Sequence, residues 1–136
     1  MTTASASVLT AFIAWSLFLL VLMEALRTRL VVKGAVASNA FAPDNANLSP
    51  FMQRLSRAHA NCLEGLPIFG GLLLIAIATG RTGVTDGLAP WLLVARVVQS
   101  SVHLLSLSVP AVNVRFFAFA VQMGIAAYWV WALLAR

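Results

Sequence analysis

An all-α integral membrane protein, a four-helix up-down bundle, is the fold class this sequence predicts, and three observations carry the prediction. Of the 136 residues, 61% are hydrophobic and only 10% charged, against about 45–50% and about 25% in soluble domains. The apolar residues gather into four segments, each near the ~20 residues needed to cross ~30 Å of hydrocarbon. The connections after the second and third segments are short, which favours antiparallel neighbours. Only helices satisfy their own backbone groups in lipid at these lengths. One domain, residues 1–136, accounts for the whole chain.

The first helix is expected over residues 8–26, with Trp15 and no charge before Glu24. Residues 1–7 lack the positive charge of a secretory leader, so this segment reads as a retained membrane helix. A polar loop over residues 27–56 follows, with Arg27, Arg29, Lys33 and Arg54 and a Pro43-Asp44-Asn45 turn signal. The second helix is expected over residues 57–79, a turn over 80–87, the third helix over 88–109, a turn at Pro110 to Asn113, and the fourth helix over 114–134. Gly70, Gly71 and Gly124 are expected where helices approach closely.

The formal charge of +5 invites a nucleic-acid reading, but the nine cations are spread between apolar blocks and make no basic face. They read better as topology. Arg27, Arg29, Lys33, Arg54, Arg57 and Arg115 fall on one side and only Arg81 and Arg136 on the other. The positive-inside bias then places the long loop in the cytoplasm and both termini outside. Trp91, Trp129 and Trp131 fall near the outer interface. The single cysteine, Cys62, excludes an intrachain disulfide and a multi-thiolate metal site; no metal is expected.

Two sets of polar residues stand inside the apolar segments. At about 100° per residue, Arg57, Asn61 and Glu64 form one stripe, while His59 points elsewhere. Arg96, Gln99, Ser100 and His103 share one face of the third helix. An arginine at the depth of Arg96 costs at least ~2.5 kcal/mol and calls for an anionic partner, with Glu64 the candidate within the chain. Two uses are open. Glu64 and Arg96 form a structural ion pair, or the cations, which outnumber the one carboxylate, receive an anion.

The run Arg57-Ala58-His59-Ala60-Asn61-Cys62-Leu63-Glu64-Gly65-Leu66-Pro67 resembles the R-A-H-x-N-x-x-E-x-x-P signature of the MAPEG family, the membrane-associated proteins of eicosanoid and glutathione metabolism. The four-helix layout is similar over the whole chain. The resemblance, to bacterial-type members and microsomal glutathione transferases, implies a homotrimer in the bacterial inner membrane with glutathione as co-substrate in clefts between subunits. It implies conjugation of glutathione to lipophilic electrophiles, or reduction of lipid hydroperoxides. Arg57, His59, Asn61, Glu64, Arg96 and His103 would bind glutathione, with Arg27 or Arg29 from the first helix, and Arg115 would hold its sulfur. His103 stands where eukaryotic members have tyrosine, and Phe116 follows Arg115 where prostaglandin-forming members have serine, so prostaglandin synthesis is not expected. The partners implied are other copies of the chain, membrane lipids and a lipophilic small molecule. A non-catalytic glutathione- or lipid-binding protein and a haem bundle with His59 and His103 as axial ligands are the competing readings.

Overall fold

The computed structural model describes residues 2–135; Arg136, counted above for topology, lies outside them. Four α-helices form among these residues: α1 (Ala4–Val32), α2 (Pro50–Ala78), α3 (Ala89–Leu105) and α4 (Val109–Leu134), with a short 3-10 turn at Thr82–Val84 between α2 and α3. Helices α1, α2 and α4 are each long and apolar enough to cross a membrane. At 17 residues, α3 is about 26 Å long at ~1.5 Å per residue and is buried against the others along Leu92, Arg96, Gln99 and His103.

Side-chain caps explain where helices begin. The hydroxyls of Thr3, Ser49 and Ser108 accept from the backbone N–H of Ala6, Met52 and Ala111, satisfying donors that the first turn leaves free. The turn expected at Pro110 to Asn113 is therefore inside α4. Ser108 is its cap and Pro110 sits in its first turn, where a missing N–H costs nothing; the real turn is Ser106 to Ser108. The long connection is likewise shorter than expected. Helix α1 continues to Val32 and α2 starts at Pro50, so Arg27, Arg29 and Arg54 are helical residues. Gly34, at φ 73°, takes the left-handed conformation just past the α1 cap.

Contacts between helix ends fix an alternating up-down order. At one end Ser5 of α1 donates from its backbone N–H and its Oγ to Asp86 Oδ1, at 2.9 and 2.6 Å, and Arg81 donates to the Ala132 and Leu133 carbonyls of α4 and to that of its capping residue Ala135. At the other end Arg27 binds Asn45, the Asn45 amide donates to the Met52 carbonyl, and Arg54 Nε donates to the Leu104 carbonyl at 3.0 Å. The first end is sealed by a core of Val8, Phe12, Phe69, Leu73, Leu92, Ile125 and Trp129, with Val84 and Leu88 packed against it. A smaller core around Leu19, Met23, Met52 and Leu55 holds α1 to α2 near the loop.

Two packing expectations change. Trp129 is fully buried in the first core, while Trp91 and Trp131 are exposed, since one helical face of α4 must fill the bundle. Of the glycines, Gly65 and Gly70 lie against neighbours, whereas a Cβ at Gly71 or Gly124 would meet nothing within 4 Å. Gly65 is the tight one. Its Cβ would stand 2.8 Å from Arg96 Nη2 and 3.0 Å from Phe69.

Candidate functional site

The stripe on α2 faces a cleft between α2 and α4, floored by α3. Near the loop end the cleft is a cavity of about 330 Å3, lined by Arg54, Arg57, Asn61, His103 and Arg115 together with Pro50, Gln53 and Leu107. No carboxylate is among these residues. Deeper, Asn61 also borders a neighbouring space with Gln99, Arg115, Phe116 and Phe119. From Asn61 the cleft continues as an apolar trough of about 380 Å3, walled by Gly65, Ile68, Phe69, Phe119, Met123, Ala126 and Val130, with Glu64 on its lining. Asn61 thus stands at the junction of all three spaces. Helical spacing produces this arrangement: Arg54, Arg57, Asn61 and Glu64 step along one face of α2 at intervals of three and four.

The floor is held by amides. Gln122 of α4 donates from Nε2 to Gln99 Oε1 at 2.8 Å and to the Ala118 carbonyl at 3.1 Å. Both glutamines are buried, and the pair locks α3 to α4 beneath the cleft, while Gln122 Oε1 is left without a partner among the described residues. Cys62 is also buried, its Sγ 3.3 Å from Ser100 Oγ, and serves the contact between α2 and α3.

Arg96 is fully buried, and its surroundings differ from expectation. Its guanidinium carbon lies 5.5, 5.6 and 5.9 Å from the ring centres of Phe12, Phe69 and Phe119, and Nη1 donates to the Asn61 carbonyl at 3.4 Å. Glu64 is exposed, and among the described residues the one salt bridge is Arg27 with Glu24. The Glu64–Arg96 ion pair, one of the two uses the sequence leaves open, is therefore absent within the chain. Three ring faces, each worth about 0.5–2 kcal/mol to a cation, surround the guanidinium in its place. Nε and Nη2 of Arg96 and Nε of Arg115 are buried without hydrogen-bond partners among the described residues.

The other candidates divide. Arg57, Asn61, His103 and Arg115 are brought together in one cavity, Glu64 lies along the adjoining trough, and Arg96 lies behind Gly65. His59 is half-buried and is not part of the cleft lining, so His59 and His103 do not meet there. Arg27 is committed to the loop through Asn45 Oδ1 and the Ala42 and Pro43 carbonyls. Arg29 borders a separate basin beside α1. Sequence reading left out Arg54 and Gln53 as site residues. Arg54 falls in the loop expected over residues 27–56, although its spacing of three from Arg57 sets both on one helical face.

These features define a class: an all-helical membrane protein whose helices enclose a cation-lined cleft that merges into an apolar trough. The family model of MAPEG (the MAPEG family) matches residues 5–135, nearly the whole chain. The chain belongs to the MAPEG family. No curated protein and no solved structure matches it.

Proposed function

We propose that this protein is a glutathione-dependent membrane enzyme that conjugates glutathione to lipophilic electrophiles or reduces lipid hydroperoxides. The observation that carries the reading is the meeting, at Asn61, of a cavity bearing three guanidinium groups with an apolar trough. Glutathione offers two carboxylates, an ammonium and a thiol. The planar forks of Arg54 and Arg57 suit the carboxylates, Glu64 suits the ammonium, and Asn61 both donates and accepts. Arg115 would stabilise the sulfur as thiolate, since a neighbouring cation favours the charged form. The trough would present the lipophilic partner from the bilayer side.

Arg57 and Glu64 are exposed, which fits a cleft completed by a neighbouring subunit in a homotrimer. The cations of the loop end (Arg27, Arg29, Lys33, Arg54, Arg57 and Arg115) support placing that end in the cytoplasm, and a bacterial inner membrane would be the setting. Calorimetric titration of glutathione into the detergent-solubilised protein tests the binding. Saturable binding is expected, weakened about tenfold or more by Arg57→Ala or by Arg115→Gln, as charge-assisted hydrogen bonds of ~1.5–3 kcal/mol are lost. No saturable binding would sink the proposal. Turnover of chlorodinitrobenzene or a lipid hydroperoxide tests the chemistry. Binding without turnover would favour the non-catalytic reading, to which the apolar Phe116 beside Arg115 in the cleft lends weight.

A further inference from the structure

A second cationic site lies outside the cleft. Arg29 in the last turn of α1 and its capping residue Lys33 border a basin of about 360 Å3, whose other walls include Leu30, Val36, Ser49 and Phe51. Both cations are exposed, and among the described residues neither has a salt bridge. Arg27, two residues before Arg29, is already neutralised by Glu24 and the loop, so the positive charge at this corner belongs to Arg29 and Lys33. They stand four apart and hence on one face of the helix. No carboxylate lines the basin.

We infer that this basin holds one anionic phospholipid, its phosphate between Arg29 and Lys33 and an acyl chain along Leu30, Val36 and Phe51. Charge complementarity selects the headgroup, since two unpaired cations at the rim of an apolar wall suit a monovalent phosphodiester carrying a chain. Interfacial anchoring of the two side chains would explain their exposure but not the mostly apolar basin that they border. The basin lies between α1 and α2, and basic pockets between transmembrane helices bind anionic headgroups. The inference is independent of glutathione binding.

The test uses the full chain in detergent, without glutathione, and native mass spectrometry with phosphatidylglycerol or phosphatidylcholine added. One saturable phosphatidylglycerol per chain is expected. In Arg29→Gln/Lys33→Gln the affinity should fall about 30-fold, two cations at about fivefold each, while the charge-conserving Arg29→Lys/Lys33→Arg protein keeps it. Millimolar inorganic phosphate should leave the lipid in place. Equal retention of the two lipids, unsaturable uptake, an unchanged Gln/Gln protein or displacement by inorganic phosphate alone would each overturn the inference.

Discussion

The two ends of the bundle use the same kinds of side chain for opposite purposes. At the end away from the long loop, polar groups are spent on the protein itself. Ser5 closes onto Asp86 and Thr85, and Arg81 is taken up by three carbonyls at the end of α4. At the loop end, Arg27 holds the chain in shape, Arg54 binds the Leu104 carbonyl through Nε and also lines the cleft with Arg57 and Arg115, and Arg29 and Lys33 border the basin. A satisfied arginine is a fastener; an unsatisfied one, held by a fold fastened elsewhere, is a receptor. The difference lies in whether neighbouring backbone carbonyls reach the guanidinium, which residue type alone does not decide.

Breaking the fastened end should have the largest effect on stability. Arg81→Ala removes donors from two carbonyls of α4 and that of its cap and is expected to cost about 2–3 kcal/mol, given ~1.5–3 kcal/mol for a hydrogen bond to a charged group. Thermal unfolding in detergent would show it, with glutathione affinity little changed. A loss of affinity without loss of stability would mean that the two ends are not separable.

The boundary between the two ends is Arg96. Arg96→Lys keeps the charge but replaces a planar cation that stacks on rings by a compact ammonium. A destabilisation of about 1–2 kcal/mol is expected as ring contacts weaken, together with weaker glutathione binding as the Asn61 carbonyl loses its donor. An unchanged melting curve would show that the three phenylalanines do not hold the guanidinium.

The smallest effect belongs to Asp86. Hydrogen bonds from the Ser5 hydroxyl and then from its backbone N–H hold this carboxyl below its ordinary value near 3.8. A depressed carboxylate stabilises the fold at pH above that value, and the contribution is lost as pH falls below it towards the folded-state value. Wild type should therefore exceed Asp86→Asn in melting temperature at pH 6, with the gap narrowing below about pH 4. A gap that does not change with pH would mean that the carboxylate's charge is not what fastens α1 to the turn.

Much of this contrast was legible in the sequence, and the exceptions have physical causes. The stripe of Arg57, Asn61 and Glu64 followed from helical periodicity, and the structure places all three along one cleft. The depth of Arg96 was legible too. Its surroundings were not, because Phe12, Phe69 and Phe119 come from three helices and no spacing along one helix brings them together. The opposite fates of Arg27 and Arg29 depend on the folding back of the loop, in which Asn45 is buried at a positive φ of 58°. The start of α4 was readable from Ser108 and Pro110, since a proline in a first turn opens a helix as readily as it marks a turn.

The shortness of α3 has a consequence for traffic through the molecule. Where a longer helix would have continued, the chain instead turns through Thr82–Val84, and Val84 and Leu88 pack onto the sealed core around Trp129. The segment acts as a stopper. A solute entering the cleft past Arg57 and Arg115 would pass from cations to the apolar walls of the trough, which runs beside that core as far as Val130. If the cleft takes substrate as proposed, a molecule that enters from water would leave by the way it came, and an apolar product would be released sideways, along the trough, into lipid.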